Sequence, residues 1–198
     1  MEPTGIGIVG CGNISAIYFE TAARLPQVEV VACADLVEAR ARECAKKHGI
    51  PTACTPDEVY ARPEVDIILN LTVPAAHVPV GCAAVTAGKH VYGEKPLALD
   101  RASARNLLDA ADAADLRVGS APDTFLGAGH QTCRQLVDEG AIGKVIAGTA
   151  FMMCHGHESW HPDPGFYYAP GGGPMLDMGP YYITALVNLL GPVARVGG

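Results

Sequence analysis

The sequence has little that would suit a nucleic-acid surface, a membrane span or an export signal. Its 14 Lys and Arg are outnumbered by 21 Asp and Glu, giving a net charge of −7, whereas nucleic-acid surfaces usually carry a basic field. No apolar run approaches the ~20 residues that span a bilayer. The first residues lack a basic segment followed by an apolar one. These absences predict a cytoplasmic protein with neither nucleic-acid nor membrane partners.

The cysteines follow no paired or metal-binding spacing. There are seven, an odd number, and no CxxC occurs. This usage predicts reduced, mostly buried thiols in a cytosolic protein. A content of 49% hydrophobic and 18% charged residues excludes an extended disordered chain and predicts a folded core.

Short apolar runs alternate with helix-spaced segments over residues 1–121. The runs at 5–10, 28–34, 65–70, 90–93 and 117–120 predict strands, and helical spacing follows each of them. Alternating strands and helices predict an α/β fold with a doubly wound parallel sheet, the Rossmann arrangement.

The pattern changes over residues 122–198, which predict the beginning of a second α/β domain. A helix is expected over 125–138, a strand over 144–153, a loop over 154–173 and a helix over 181–190. One strand cannot form a sheet, so we expect this second domain to be incomplete in this chain.

A glycine-rich turn joins the first predicted strand to the first helix. Gly10 permits the tight turn and Gly12 lets the backbone approach a pyrophosphate, while Ser15 takes the place of the third glycine. Asp35 ends the second strand, where a carboxylate would bind the adenosine ribose and repel a 2′-phosphate. NAD is therefore preferred over NADP, although Arg40 leaves NADP open. The alternatives are an ordinary βα turn and a helix N-cap at Asp35.

Polar residues also follow the next two strands. Asn70 ends the third and Thr72 follows it, and Glu94 and Lys95 come after the fourth. Ligands of open α/β sheets bind at this carboxyl end. Lys95 could bind a substrate hydroxyl or stabilise a developing alkoxide there; a solvated surface lysine is the alternative.

A glycine-rich cluster near the C-terminus carries Asp177 and Tyr181. In one helix these two residues would share a face, but Pro180 should kink that helix or start a new one. Tyrosine is a poor base at neutral pH, and a nearby Lys95 cation would favour the phenolate. A packed aromatic ring and a capping carboxylate remain the alternative.

Four motifs together resemble the glucose–fructose oxidoreductase, inositol dehydrogenase and rhizopine-catabolism (Gfo/Idh/MocA) family. They are GCGNIS at 10–15, NLTVP at 70–74, the Glu94-Lys95-Pro96 triplet and GGGPMLDMGPYY at 171–182. The resemblance implies an N-terminal NAD(P)-binding Rossmann domain, a C-terminal domain with a large open sheet, and homo-oligomers among full-length relatives. Members of the family run longer, so most of the substrate-domain sheet is expected to be missing here.

The resemblance also implies roles for individual residues. Those along the cofactor are Gly10, Gly12, Asn13 and Ile14 at the pyrophosphate, Asp35 at the ribose, and Asn70, Thr72, Pro74, His77, Glu94 and Lys95 towards the nicotinamide. Lys95 matches the catalytic lysine of the family and Asp177 its acidic residue. Tyr181 stands where most members have a catalytic histidine, and this departure is similar to the glucose–fructose oxidoreductase branch.

A histidine-rich loop precedes the last cluster. His157, Trp160 and His161 could line the substrate, with imidazoles for hydroxyls and the indole as a stacking face for a sugar ring. Their spacing fits no zinc pattern, so no metal is predicted. A purely structural loop is the alternative.

Residues and resemblance together predict an NAD-dependent oxidoreductase that moves hydride between nicotinamide C4 and a sugar, polyol or related alcohol. Tyr181 would exchange the hydroxyl proton, Lys95 would steady the oxygen and tune Tyr181, and Asp177 would orient the substrate or the base. Two other functions stay open: an NAD-dependent glycoside hydrolase of the same family, and a non-catalytic cofactor-binding fragment.

Overall fold

The computed structural model describes residues 2–159, 161, 164–169 and 171–197. The chain divides into two compact units, Met1–Ala121 and Pro122–Gly198. The first contains every strand found among the described residues. The strands are β1 (Thr4–Val9), β2 (Val28–Ala34), β3 (Thr52–Cys54), β4 (Ile67–Asn70), β5 (His90–Gly93) and β6 (Val118–Ser120).

The six strands form one parallel sheet in the order β3-β2-β1-β4-β5-β6. This is the Rossmann order, in which the direction of winding reverses between β1 and β4. The predicted doubly wound sheet is therefore confirmed. Its carboxyl edge at the switch point is where the candidate cofactor residues lie.

Helices cover both faces of the sheet. They are α1 (Ser15–Ala22), α2 (Glu38–His48), α3 (Pro56–Tyr60), α4 (His77–Thr86) and α5 (Arg101–Ala113). Phe19 of α1 and Ala41 of α2 belong to one buried cluster, and Val59, Ala84 and Leu107 of α3, α4 and α5 belong to the other. Both faces of each central strand are thus buried, which explains why the strands read as continuous apolar runs.

Two short elements were not predicted from the sequence. Strand β3 is a three-residue edge strand beside β2, too short to show periodicity. Helix α3 could have been predicted from the sequence, because Thr55 and Glu58 form a reciprocal capping box and Pro56 lies in the first turn. Other helix ends agree with the sequence: Asp100 caps α5, and Gly49 ends α2 in the left-handed conformation.

The second unit contains α6 (Ala128–Asp138), α7 (Pro174–Asp177) and α8 (Gly179–Leu190). Arg134 of α6 donates to the carbonyls of Asn188 and Leu189 at the end of α8, at 2.9 and 2.8 Å. The predicted strand over 144–153 is wrong, since no strand is formed there. A β-strand exists only with a hydrogen-bonded neighbour, and the described residues of this unit supply none.

The predicted helix over 181–190 begins earlier, at Gly179, and Pro180 occupies its first turn. Asp177 ends α7, and Met178 separates the two helices. The continuous helix that would place Asp177 and Tyr181 on one face is not formed, and Pro180 lies in the first turn of a new helix, which was one of the two predicted effects of this proline. Proline fits the first turn of a helix because its missing N–H would have no partner there.

None of the described helices has both the length and the apolar character needed to cross a bilayer.

Candidate functional site

The turn after β1 can be built only with glycine at position 10. Gly10 has φ 101°, and a Cβ there would lie 2.7 Å from the carbonyl carbon and oxygen of Leu71 and 2.9 Å from the nitrogen of Thr72. Its N–H donates to the carbonyl of Ala34 at 2.8 Å. The turn is thus packed between the ends of β2 and β4.

Gly12 lies on the open side of the same turn. It is exposed, and a Cβ built there would meet no heavy atom within 4 Å. Asn13 and Ile14 beside it are exposed, and Ser15 begins α1 with its hydroxyl donating to the Gly12 carbonyl at 2.7 Å. A backbone open to solvent at a helix N-terminus suits an anionic group. These residues fit the pyrophosphate of a dinucleotide.

Asp35 is held beside this turn at the end of β2. The residue is 9% exposed. One carboxylate oxygen accepts from the N–H of Cys11 at 2.9 Å and the other from the N–H of Val37 at 2.8 Å. Each oxygen keeps a second lone pair for a ribose hydroxyl. The alternative of a helix N-cap at Asp35 is wrong, because the N-cap of α2 is Val37.

The thiol of Cys11 lies beneath the turn and is unsuited to chemistry. It donates to the carbonyl of Ala34 at 3.6 Å, and the neighbouring Cys33 thiol together with burial raises the pKa of Cys11 above its ordinary value. All seven cysteines are free thiols, but only Cys11 and Cys33 are fully buried. The expectation of mostly buried thiols is therefore wrong.

Asn70, at the end of β4, is 1% exposed and shapes the loop that follows. Its amide nitrogen donates to the carbonyl of His77 at 2.9 Å, and its oxygen accepts from the hydroxyl of Thr72 at 2.6 Å. The structure thus gives Asn70 a role inside the protein, whereas Thr72 and Pro74 are half-buried on the loop.

His77, at the start of α4, is 4% exposed. Its Nδ1 lies 2.6 Å from the carbonyl oxygen of Pro96, and its Nε2 lies 3.0 Å from that of Thr72. The ring therefore joins the loop after β4 to the turn after β5.

Glu94 and Lys95 form that turn after β5. One carboxylate oxygen of Glu94 accepts from the hydroxyl of Tyr18 at 2.6 Å, and the other accepts from the N–H of Lys95 at 3.1 Å. The N–H of Glu94 donates to the carbonyl of Asn70 at 2.9 Å. Lys95 is half-buried, and its peptide bond to Pro96 is cis. Tyr18, on α1, bonds to this turn but was not among the residues predicted for the site.

In the second unit, Asp177 is paired with a buried histidine. The Nε2 of His157 lies 3.1 Å from a carboxylate oxygen of Asp177, and His157 is 5% exposed. The His157 ring stacks on Tyr167 with centroids 3.8 Å apart. Tyr181 lies half-buried in the first turn of α8. The structure thus brings together two of the residues predicted for catalysis and substrate.

The rest of the histidine-rich loop is partly described. The N–H of His161 donates to the carbonyl of His157 at 2.9 Å, whereas Trp160 lies outside the described residues. Tyr168 donates to Glu158, and this bond lowers the pKa of Glu158 and raises that of Tyr168. No three His, Cys, Asp or Glu side chains within the described ranges are placed to hold a metal ion; the expectation of no metal stays a prediction.

These features are those of a dinucleotide-binding protein: a Rossmann sheet with a glycine turn, a carboxylate after β2 and polar residues after β4 and β5. The family model described as "Oxidoreductase family, NAD-binding Rossmann fold" matches residues 4–121. The model of the GFO/IDH/MocA C-terminal domain matches residues 130–198. The chain belongs to the Gfo/Idh/MocA family of oxidoreductases, as its four motifs predicted.

Named relatives include sugar and polyol enzymes. The chain is 32% identical over 197 residues to a dTDP-3,4-didehydro-2,6-dideoxy-alpha-D-glucose 3-reductase of Streptomyces violaceoruber, covering 98% of this chain and 56% of that protein. It is 29% identical to the myo-inositol 2-dehydrogenase of Thermotoga maritima, covering 87% and 51%. Among solved structures, KijD10, a 3-ketoreductase from Actinomadura kijaniata in complex with NADP and TDP-benzene, matches with a TM-score of 0.80 and 27% identity, covering 96% and 58%. The chain thus spans about half the length of these relatives.

Proposed function

We propose that this chain belongs to an NAD-dependent oxidoreductase acting on a sugar, polyol or related alcohol. The observation that carries the proposal is the convergence, at one edge of the sheet, of the glycine turn, Asp35, the Asn70–Pro74 loop and the Glu94-Lys95 turn. The relatives named above are reductases and dehydrogenases, which supports oxidoreduction and disfavours glycoside hydrolysis. Residues 1–121 would bind the cofactor and residues 122–198 would contribute to the substrate domain.

The preference for NAD rests on Asp35. Its carboxylate is fixed by two backbone N–H groups and would repel the 2′-phosphate of NADP while accepting from ribose hydroxyls. Since KijD10 is solved with NADP, the family as a whole does not decide the cofactor. The carboxylate at Asp35 therefore supports NAD as the cofactor of this chain.

When bound, the nicotinamide accepts or supplies hydride. In the oxidative direction the carbinol carbon loses hydride and its hydroxyl loses a proton, leaving a carbonyl. We propose that Lys95 stabilises the negative charge on that oxygen, that Tyr181 takes the proton, and that Asp177 orients the substrate or the base. His157, Trp160 and His161 would contact the hydroxyls and the ring of the substrate.

The test is Lys95→Ala, with Lys46→Ala as a control because Lys46 is an exposed lysine of α2 outside the site. The chain is assayed with NAD and a polyol panel that includes myo-inositol, and NADH binding is measured by calorimetry. We expect Lys95→Ala to abolish turnover and keep NADH affinity, while Lys46→Ala changes neither. Normal turnover in Lys95→Ala would show that this role is wrong.

The same assay, with glycosides added to the panel, separates the other two functions. A glycoside hydrolase that recycles its cofactor would cleave a substrate with no net consumption of NAD. A non-catalytic binding protein would bind NADH yet turn over no member of the panel.

A further inference from the structure

His77 joins the two chain segments that flank one half of the carboxyl edge. Its imidazole lies between the Thr72 carbonyl, in the loop after β4, and the Pro96 carbonyl, in the turn after β5, at 3.0 and 2.6 Å. The residue is 4% exposed. Both ring nitrogens lie within hydrogen-bond distance of protein carbonyl oxygens, so the ring is placed to hold these segments and not to contact a ligand.

The contacts around this histidine form a closed network. Asn70 donates to the His77 carbonyl and accepts from Thr72, so backbone and ring of His77 are both fixed. Pro96 is buried, and its carbonyl has a ring nitrogen for a partner. A neutral imidazole donates one N–H and a protonated one donates two. Removal of the ring therefore takes the donor from one of the two carbonyls when the imidazole is neutral, and from both when it is protonated.

The segments joined by His77 belong to the second half of the nucleotide site. In the Rossmann arrangement a dinucleotide spans the switch point between the two halves of the sheet. The glycine turn and Asp35, at β1 and β2, serve the adenosine and pyrophosphate, which leaves β4 and β5 for the nicotinamide riboside. The ring nitrogens of His77 contact carbonyls on the β4 and β5 side.

We propose that His77 is a positioning residue for the nicotinamide half of the site, acting through Thr72 and the Lys95-Pro96 turn. This inference rests on the proposed function, because it presumes a nicotinamide dinucleotide. It replaces the direct contact with the cofactor that the family resemblance implies for His77. It predicts that loss of the ring weakens NADH binding and spares ligands that occupy only the first half of the site.

The test compares NADH with ADP by calorimetry for the unchanged chain, His77→Phe and His77→Gln. Phenylalanine keeps the ring volume without donors, and glutamine keeps one amide donor. We expect NADH affinity to fall about tenfold in His77→Phe, because NADH must then order the two segments without the hydrogen bonding that holds them in the unchanged chain. His77→Gln should recover part of the loss. ADP affinity should differ by less than about twofold among the three proteins. A twofold change in affinity corresponds to a free energy below the thermal energy, which is too small for a lost contact.

The matched control is His90→Gln. His90 lies at the other end of β5, where its Nδ1 accepts from the N–H of Arg117 at 3.0 Å, and glutamine can replace that acceptor. This variant should bind both ligands as the unchanged chain does. Thermal unfolding of every variant shows which of them are folded.

Each remaining outcome has a distinct meaning. If His77→Phe and His77→Gln are folded and bind NADH normally, the positioning role is wrong. If NADH and ADP weaken together, His77 supports the whole unit and the inference is also wrong. If the unchanged, folded chain binds ADP but not NADH, or binds neither, the proposed function fails and the inference with it.

Discussion

Gly10 and Gly12 lie in the same turn, but alanine should affect them in different ways. At Gly12 a Cβ meets no heavy atom of the protein within 4 Å, and φ lies outside the left-handed region. Gly12→Ala should therefore leave the free energy of unfolding unchanged or raise it by about 0.4–1 kcal/mol, because alanine restricts the unfolded chain. The same methyl group would occupy the space through which the backbone approaches a pyrophosphate.

At Gly10, by contrast, we expect alanine to destabilise the fold. The left-handed conformation alone costs a residue with a Cβ about 1–2 kcal/mol. The Cβ would also come within 2.7 Å of the Leu71 carbonyl and 2.9 Å of the Thr72 nitrogen, and these are backbone atoms that cannot rotate away. Gly10→Ala should therefore lower the free energy of unfolding by more than that amount.

The two variants are compared by urea unfolding, followed by circular dichroism, and by NADH titration. We expect Gly12→Ala to keep its urea midpoint and lose about tenfold or more in NADH affinity, equal to about 1.4 kcal/mol. Gly10→Ala should lower the urea midpoint as well as the NADH affinity. Unchanged NADH binding in Gly12→Ala would refute the reasoning, because the exposed side of the turn could not then be the pyrophosphate site.

Three further predictions concern the first unit. Asp35→Asn should shift the ratio of NADH to NADPH affinity towards NADPH by about tenfold, the effect of removing one charge repulsion; an unchanged ratio in parallel titrations would contradict this. Leu107→Ala should lower the free energy of unfolding by about 2–5 kcal/mol, since Leu107 is 2% exposed in the core; a urea midpoint like that of the unchanged chain would be inconsistent. Thr55→Ala should cost about 1 kcal/mol at pH 7 through loss of the cap. The backbone N–H and hydroxyl of Thr55 lower the pKa of Glu58. Alanine removes only the hydroxyl bond to the carboxylate, and the stabilisation from that bond is present above the unfolded pKa of Glu58 and is lost as pH falls through the folded one. The difference from the unchanged chain should therefore shrink in acid, and a constant difference would contradict the bond from the Thr55 hydroxyl to the Glu58 carboxylate.

The sheet could be predicted because its strands are buried on both faces. Residues 28–34 and 90–93 form strands with the predicted bounds, since continuous apolar runs bounded by polar residues leave little choice. Strand β3 could not be predicted, because three residues show no period and depend on pairing with β2. The run over 144–153 shows the converse: β-forming residues make no strand where no neighbour is present.

The residues of the site could be predicted from the sequence, but the hydrogen bonds among them could not. The rule that ligands bind at the carboxyl ends of parallel strands groups Gly10, Asp35, Asn70 and Glu94 without any coordinates. Tertiary packing decides that Asn70 faces inward and that Tyr18 pairs with Glu94 across the fold. Hydrogen bonds between residues far apart in sequence leave no local pattern.

The central claim is that this chain forms a nicotinamide dinucleotide site at the carboxyl edge of its sheet. The most direct test is calorimetric titration of the purified 198-residue chain with NADH and, in parallel, with NADPH. The account predicts NADH binding that is tighter than NADPH binding. A chain that shows the circular dichroism of an α/β fold and binds neither nucleotide would contradict it.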